Sequence, residues 1–171
     1  QELKAALELV KKVTEIGVDA VIVQDLGIFS LIHQNFPDVE IHASTQLTTH
    51  NLEQCKFLVE MGAKQINLSR ELSLEEIKPM ASYLKSQNVG CEIFVHGAYC
   101  ISFSGQCYLS GELYGLKGNR GACVQPWRRQ YTLSKDSFNI NGFFITSLAI
   151  SSLFKLHFIE KKSIILVASS P

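Results

Sequence analysis

The sequence lacks any uncharged apolar run of about 18 residues, so it predicts no transmembrane helix. Basic and acidic residues number 16 each, and a net charge of zero excludes a global basic field that would attract nucleic acid. A local basic patch stays open, in the group Lys117, Arg120, Arg128 and Arg129. The given sequence starts with "QELKAALELVKK", which has neither an initiator methionine nor the layout of a signal peptide. With an odd cysteine count, this predicts a reducing cytoplasm rather than a disulfide framework.

Two hydrolase motifs are also missing, H-E-x-x-H and G-x-S-x-G, and so are the tight Cys-x(2–4)-Cys pairs of most zinc sites. The segment 96–129 instead holds three of the five cysteines, six of the 11 glycines and the single tryptophan. Its cysteines are Cys100, Cys107 and Cys123. Cysteines on glycine-rich loops can converge on an iron–sulfur cluster or a zinc ion, and this spacing favours iron–sulfur.

The first 97 residues alternate amphipathic helices with short apolar strands, joined by short connections. This pattern predicts an α/β fold, either a partial (β/α) barrel-like parallel sheet or an open doubly wound sheet, followed by the Gly/Cys-rich segment. We expect at least four parallel strands, adjacent in chain order and centred near Val21, Ile41, Ile66 and Phe94. A helix is expected over 45–62, closed by Gly62, and another over 73–87 with a Ser73–Glu76 capping box.

Polar residues follow each predicted strand, and the carboxyl ends of parallel strands form the functional face in both candidate folds. We therefore expect one rim made by Gln24, His42, Gln46, Arg70 and His96. His42, Gln46 and His96 are the candidate catalytic residues. Helix capping is the alternative reading of such polar positions, and it is favoured for Ser69 and Ser73. Cys55 and Cys91 are predicted to be packing residues rather than ligands.

Several long stretches, in the expected order, resemble the collagenase-like peptidases of unknown catalytic type, peptidase family U32. They are "DAVIVQDLGI" (19–28), "IHASTQLTTHN" (41–51), "LSRELSLEEI" (68–77), "EIFVHGAYCISFSGQCYLS" (92–110) and "GNRGACVQP" (118–126). The resemblance covers about residues 1–133, which we take as a partial β/α barrel with the Cys-rich segment 96–130. Residues 134–171 are taken as a divergent tail.

The resemblance implies a cytosolic, oxygen-independent hydroxylase rather than a protease. Members of the family modify a tRNA wobble uridine or a cytidine of large-subunit (23S) ribosomal RNA with prephenate, and another branch acts in ubiquinone hydroxylation. It also implies a 4Fe–4S cluster on four cysteines, three of which fall on Cys100, Cys107 and Cys123. The fourth cysteine follows Gln-Pro in the family, and here Trp127 stands at that position. RNA and prephenate are therefore the expected partners.

Two alternatives stay open beside the hydroxylase. One is a collagenase-like protease that would use His42, His96 and Cys100. The other is a non-catalytic remnant without a cluster, suggested by Trp127 and by a tail that ends in the apolar stretch "IILVASSP". A closed eight-stranded barrel needs roughly 200 residues or more, so we expect an open fragment that a second chain or a missing segment would complete.

Overall fold

The computed structural model describes residues 2–97 and 100–128, and the backbone of residues 132–135, 138–141 and 163–165. These residues form two compact units. The first falls within residues 1–94, 103–106 and 156–171, and the second within 95–102 and 107–155. None of the described helices is long and apolar enough to cross a membrane.

Helices and strands alternate along the first unit. In chain order they are α1 (Glu2–Ile16), β1 (Ala20–Val23), α2 (Leu26–Asn35), β2 (Glu40–Ala43), α3 (Leu52–Glu60), β3 (Gln65–Asn67), α4 (Leu74–Ser86) and β4 (Gly90–Glu92). Each connection between consecutive strands is therefore a helix, the arrangement that parallel pairing requires. The Ser73–Glu76 capping box that the sequence predicts opens α4.

The strands form a parallel sheet in the order β4-β3-β2-β1, to which a later strand, β7 (Ser163–Ile165), adds beside β1. Val21 lies opposite Ile41, His42 opposite Gln65, and Ile66 opposite Cys91. The predicted α/β class and the chain-order adjacency of four parallel strands are thus confirmed. Parallel strands in chain order bring all four carboxyl ends to one edge of the sheet.

The hydrophobic core lies between one face of the sheet and the four helices. Alternate residues of β1 to β3 enter it, for example Val21, Ile41 and Ile66, because successive strand side chains point to opposite faces. The helices contribute apolar residues spaced by three or four, such as Val10 and Val13 of α1. The helices cover this face of the sheet. The strand residues that alternate with the core residues therefore point to the opposite face.

Three local expectations from the sequence are corrected. The helix expected over 45–62 is a short 3-10 turn, Thr45–Leu47, followed by a separate α3. Thr48 adopts a left-handed conformation, with φ of 57°, and the Asn51 side chain accepts from the backbone N–H of Gln54 and caps α3. The strand expected over 90–97 ends at Glu92, and Cys91 is exposed rather than packed.

The second unit contains short elements. They are α5 (Leu109–Tyr114), two 3-10 turns (Gly118–Arg120 and Pro126–Arg128) and an antiparallel hairpin of β5 (Thr132–Lys135) and β6 (Phe138–Asn141). Most of the predicted tail, 134–171, lies outside the described residues, which there comprise only backbone of β5, β6 and β7.

Cys55 provides a test of the core through pH. Burial, and then the neighbouring Cys91 thiol, raises the pKa of Cys55 from 9.0 to about 11. The folded chain keeps this proton when the unfolded chain has lost it. The contribution to stability is therefore complete below pH 9 and is lost as pH rises to about 11.

We expect the wild type to lose up to about 1.4 kcal/mol per pH unit more than Cys55→Ala in that window. Urea unfolding at several pH values between 8 and 11 measures the difference. Cys123→Ala, which removes an exposed thiol, is the control and should follow the wild type. Parallel pH dependences of the wild type and Cys55→Ala would contradict the buried, protonated thiol.

Candidate functional site

The sheet of the first unit carries polar side chains on the face that the core does not use. Glu40 and His42 alternate with core residues along β2, and Gln65 and Asn67 do so along β3. Glu92 of β4 lies opposite Asn67 in the register. We call these five residues the polar sheet face.

Hydrogen bonds join β3 and β4 across the polar sheet face, and His42 lies beside Glu40 within β2. The Glu92 carboxylate accepts from Gln65 Nε2 at 2.5 Å and from Asn67 Nδ2 at 3.0 Å. His42 Nε2 lies 3.6 Å from Glu40 Oε2, and the His42 side chain is 3% exposed. The face thus combines an imidazole, two carboxylates and two amides, which can donate, accept or carry a proton.

At the carboxyl edge of the same unit, the residues after β2 and β3 hold the segment Phe103–Gln106. Thr48 Oγ1 donates to the Ser104 carbonyl oxygen at 2.8 Å. Glu71 Oε1 accepts from the Ser104 backbone N–H at 2.6 Å and from its hydroxyl at 3.1 Å. Four residues of the Gly/Cys-rich segment therefore belong to the rim of the α/β sheet.

Gly105 allows the close approach of this segment. Its φ is +74°, and a Cβ atom there would lie 2.6 Å from Thr48 Oγ1 and in collision with the Gln46 carbonyl oxygen. Both the backbone conformation and the absent side chain are needed, so glycine is required at this position. Gln46, predicted as a catalytic residue, is exposed and meets the segment through its main chain.

The predicted cluster ligands lie in the second unit. Cys100 and Cys107 are half-buried, and Cys123 is exposed. Cys123 Sγ receives the backbone N–H of Gln125 at 3.4 Å and has the buried Ser110 hydroxyl at 3.8 Å. Hydrogen bonds from N–H and O–H groups to cysteine sulfur are among the features that set the reduction potential of an iron–sulfur cluster.

Trp127, at the position where the resemblance expects a fourth cysteine, is a packing residue. It is 4% exposed, in the 3-10 turn Pro126–Arg128, and the Arg128 guanidinium lies 4.9 Å from the ring centroid. This is cation–π distance. The indole is therefore built into the second unit.

Within residues 2–97 and 100–128, no three His, Cys, Asp or Glu side chains are placed to hold a metal ion. With an indole at the fourth position, the side chains as they stand do not fit a cluster on four thiolates. The assignment of Cys100, Cys107 and Cys123 as ligands stays a prediction. His96 is exposed and belongs to the second unit, so its approach to His42 also stays a prediction.

Sequence reasoning missed most of the polar sheet face. Polar and apolar residues alternate in "EIHA" and "QIN", which indicates a polar face, but among these polar positions only His42 was predicted as a site residue. The contacts of Ser104 with Thr48 and Glu71 join residues 56 and 33 positions apart, and no local pattern announces them.

The network around Glu92 predicts the effect of Asn67→Asp. This change places a second carboxylate 3.0 Å from Glu92 Oε1, where an amide now donates. Repulsion raises the pKa of both carboxyls, so the penalty grows as pH rises above that raised value. We expect a loss of about 1–3 kcal/mol of unfolding free energy at pH 7, most of it recovered near pH 4.

Urea denaturation at the two pH values measures this, with the exposed Asn119→Asp as the matched control. The control should lose little stability at either pH. An equal loss for Asn67→Asp at both pH values would show that Glu92 does not face it.

Comparisons with known proteins agree with the sequence resemblance. The 23S rRNA 5-hydroxycytidine C2501 synthase of Escherichia coli is 43% identical over 142 residues, 83% of this chain and 21% of that protein. The tRNA hydroxylation protein P of Escherichia coli is 39% identical over 134 residues, 78% of this chain and 29% of that protein. A collagenase of Porphyromonas gingivalis is 35% identical over 156 residues, 84% of this chain and 36% of that protein.

No solved structure matches the chain. The chain spans about a fifth to a third of the length of these relatives. The model of Peptidase family U32 matches residues 1–161, so the match extends past residue 133, where the resemblance in the sequence ended. With this match and with relatives above 30% identity, the chain belongs to Peptidase family U32.

Proposed function

We propose that the chain is part of an enzyme that hydroxylates a pyrimidine base of RNA, in tRNA or in 23S rRNA. The observation that carries the proposal is the 43% identity over 83% of this chain with a 23S rRNA 5-hydroxycytidine synthase. The similarity to tRNA hydroxylation protein P supports the same chemistry on another RNA. Since the chain covers only part of these relatives, the activity is proposed for a protein that includes it.

The polar sheet face supports a base as the substrate. Carboxylate and amide side chains such as Glu92, Gln65 and Asn67 are the groups that proteins use to recognise base edges. His42 beside Glu40 adds an imidazole, whose ring nitrogens can donate or accept a hydrogen bond. We assign binding and orientation of the pyrimidine to this face. The co-substrate in this proposal is prephenate, as the family resemblance implies.

The proposal includes an iron–sulfur cluster on the condition that a fourth ligand is restored. The thiols of Cys100, Cys107 and Cys123 have the right donor chemistry, whereas Trp127 is buried where the fourth ligand is expected. A cluster short of one thiolate is retained poorly and exposes iron to oxygen. We therefore propose that this chain holds little or no intact cluster unless the fourth ligand is restored.

The activity is tested by mass spectrometry of RNA. A protein that includes the chain, and its Trp127→Cys variant, are incubated without oxygen, with prephenate and with unmodified 23S rRNA or tRNA. Nuclease digests are then searched for a pyrimidine nucleoside carrying one extra oxygen atom. We expect the Trp127→Cys variant to form this product and the wild type to form little or none. Its absence in both proteins, with a cluster present, would reject the hydroxylase for this chain.

Trp127→Cys should raise the iron and sulfide content after anaerobic reconstitution, because it supplies the missing thiolate. Trp127→Ser is the matched control, since it removes the indole without adding a ligand, and it should stay as low as the wild type. Loss of the buried indole costs about 3–5 kcal/mol, so circular dichroism must accompany both variants.

Two results would contradict this expectation. Equal, stoichiometric iron in all three proteins would show that position 127 does not limit the cluster. No iron in any of the folded proteins would favour the non-catalytic remnant.

A peptidase remains the second candidate because a relative named collagenase is 35% identical. Cleavage of gelatin by the chain, lost in Cys100→Ala, would favour that function.

A further inference from the structure

We propose that the second unit carries a surface that binds the phosphate backbone of single-stranded RNA, and this inference rests on the proposed function. The surface consists of the two 3-10 turns and the short helix α5. We call it the basic turn surface, and its charged members are Lys117, Arg120 and Arg128. Arg129, the fourth basic residue of this group in the sequence, lies outside the described residues.

The charge of the chain is divided unevenly between the two units. The residues of the second unit include six Lys and Arg but two Asp and Glu, which gives a formal net charge of +4. The residues of the first unit include ten Lys and Arg and 14 Asp and Glu, which gives −4. The neutral total therefore combines a basic and an acidic unit. Phosphates are attracted to the basic one, because neutralisation of the backbone charge supplies much of the affinity for nucleic acid.

The acidic character of the first unit makes a separate cationic surface necessary. The polar sheet face, to which we assign the base, contains the carboxylates of Glu40 and Glu92. Carboxylates repel phosphates, and the net charge of the unit adds to that repulsion. An RNA substrate therefore needs cations to hold its backbone, and the second unit has the net positive charge for this task.

The first 3-10 turn joins two of the cations. The Arg120 backbone N–H donates to the Lys117 carbonyl oxygen at 2.9 Å, and the Ala122 N–H donates to the same oxygen at 3.3 Å. These bonds close the chain into a turn that has Lys117 at one end and Arg120 at the other. Lys117 is exposed and Arg120 is half-buried. Two cations at the ends of one closed turn can contact neighbouring phosphates of a strand.

The second 3-10 turn holds a guanidinium against an aromatic ring. Arg128 is exposed, and its guanidinium lies 4.9 Å from the centroid of the Trp127 ring. Trp127 is buried, so the ring is a fixed support for the guanidinium. A planar guanidinium can bind a phosphate through two parallel hydrogen bonds, a geometry that lysine lacks. Trp127 therefore orients a phosphate-binding group in this proposal.

Contacts through residues 123–125 connect the two turns. A Cβ atom at Gly118, in the first turn, would lie 3.8 Å from Cys123 Cβ. Cys123 Sγ receives the Gln125 N–H at 3.4 Å, and the Gln125 carbonyl oxygen accepts from the Arg128 N–H at 3.0 Å. The three basic residues therefore belong to one connected structure.

Helix α5 adds two exposed aromatic rings to the basic turn surface. Tyr108 precedes the helix and Tyr114 is its last residue, and they are 71% and 39% exposed. The first turn contacts this helix, since a Cβ atom at Gly118 would lie 3.6 Å from Ser110 Cβ. Proteins that bind single-stranded nucleic acid combine such rings, on which bases stack, with cations that hold the phosphates. The rings thus favour single-stranded RNA over an acidic protein segment as the partner.

Fluorescence anisotropy of a labelled RNA tests the proposal without a cluster or prephenate. The chain is titrated into an unstructured pyrimidine strand about 12 nucleotides long, at salt concentrations from about 50 to 200 mM. We expect Lys117→Ala and Arg128→Ala each to reduce the slope of log Kd against log salt by about 0.7 and to raise Kd about fivefold near 100 mM salt, because each loses one phosphate contact. Lys117→Arg keeps the charge and should bind as the wild type does.

Two further changes separate the charge from the rings. Lys11→Ala removes an exposed cation from α1 of the first unit and should leave the affinity and the salt slope unchanged. Tyr108→Ala should raise Kd at least about fivefold with the slope unchanged, because stacking releases no counterions. Tyr108→Phe keeps the ring and should retain the affinity. Arg128→Gln repeats the charge test if circular dichroism shows that Arg128→Ala does not fold.

The basic turn surface would be rejected if the variant with both Lys117→Ala and Arg128→Ala kept the affinity and the salt slope of the wild type. Displacement of the labelled strand by polyglutamate as efficiently as by unlabelled RNA would also overturn the proposal, in favour of an acidic protein partner.

The binding assay and the hydroxylation assay can fail separately. Weaker binding by the variants, without any hydroxylated nucleoside, would support the basic turn surface and reject the hydroxylase. A hydroxylated nucleoside together with unchanged binding by the variants would support the hydroxylase and reject the basic turn surface.

Discussion

Parallel pairing with helical connections is the constraint on which the rest of the first unit depends. After each strand the chain must return to the starting end of the sheet before the next strand begins. A helix on the covered face makes this connection. This places the core on one face, leaves the other face to polar residues of β2 to β4, and gathers the strand ends at one edge. Both the polar sheet face and the contacts that hold the segment Phe103–Gln106 are consequences of that one arrangement.

The sequence predicts this framework well because its signals are local. Apolar runs between amphipathic segments indicate the strands at Val21, Ile41 and Ile66, and the Ser73–Glu76 capping box indicates the start of α4. The continuous helix over 45–62 was wrong because Thr48 turns into a left-handed conformation and Asn51 starts a new helix. Propensity alone did not reveal that break.

The candidate site was predicted less completely, for two physical reasons. Long-range contacts such as that of Glu71 with Ser104 depend on the folded path of the chain, which local patterns do not contain. Position 127 was singled out by resemblance, but its burial and its stacking with Arg128 are properties of the packed structure.

The early end of β4 has a consequence for the behaviour of the protein in solution. Within the described residues, β4 is an edge of the sheet, and the chain continues from it into Ile93 and Phe94, which are 36% and 60% exposed. An open strand edge beside apolar side chains is a template for pairing with another chain. Glu92, the charged last residue of β4, is the feature of that edge that opposes such self-association.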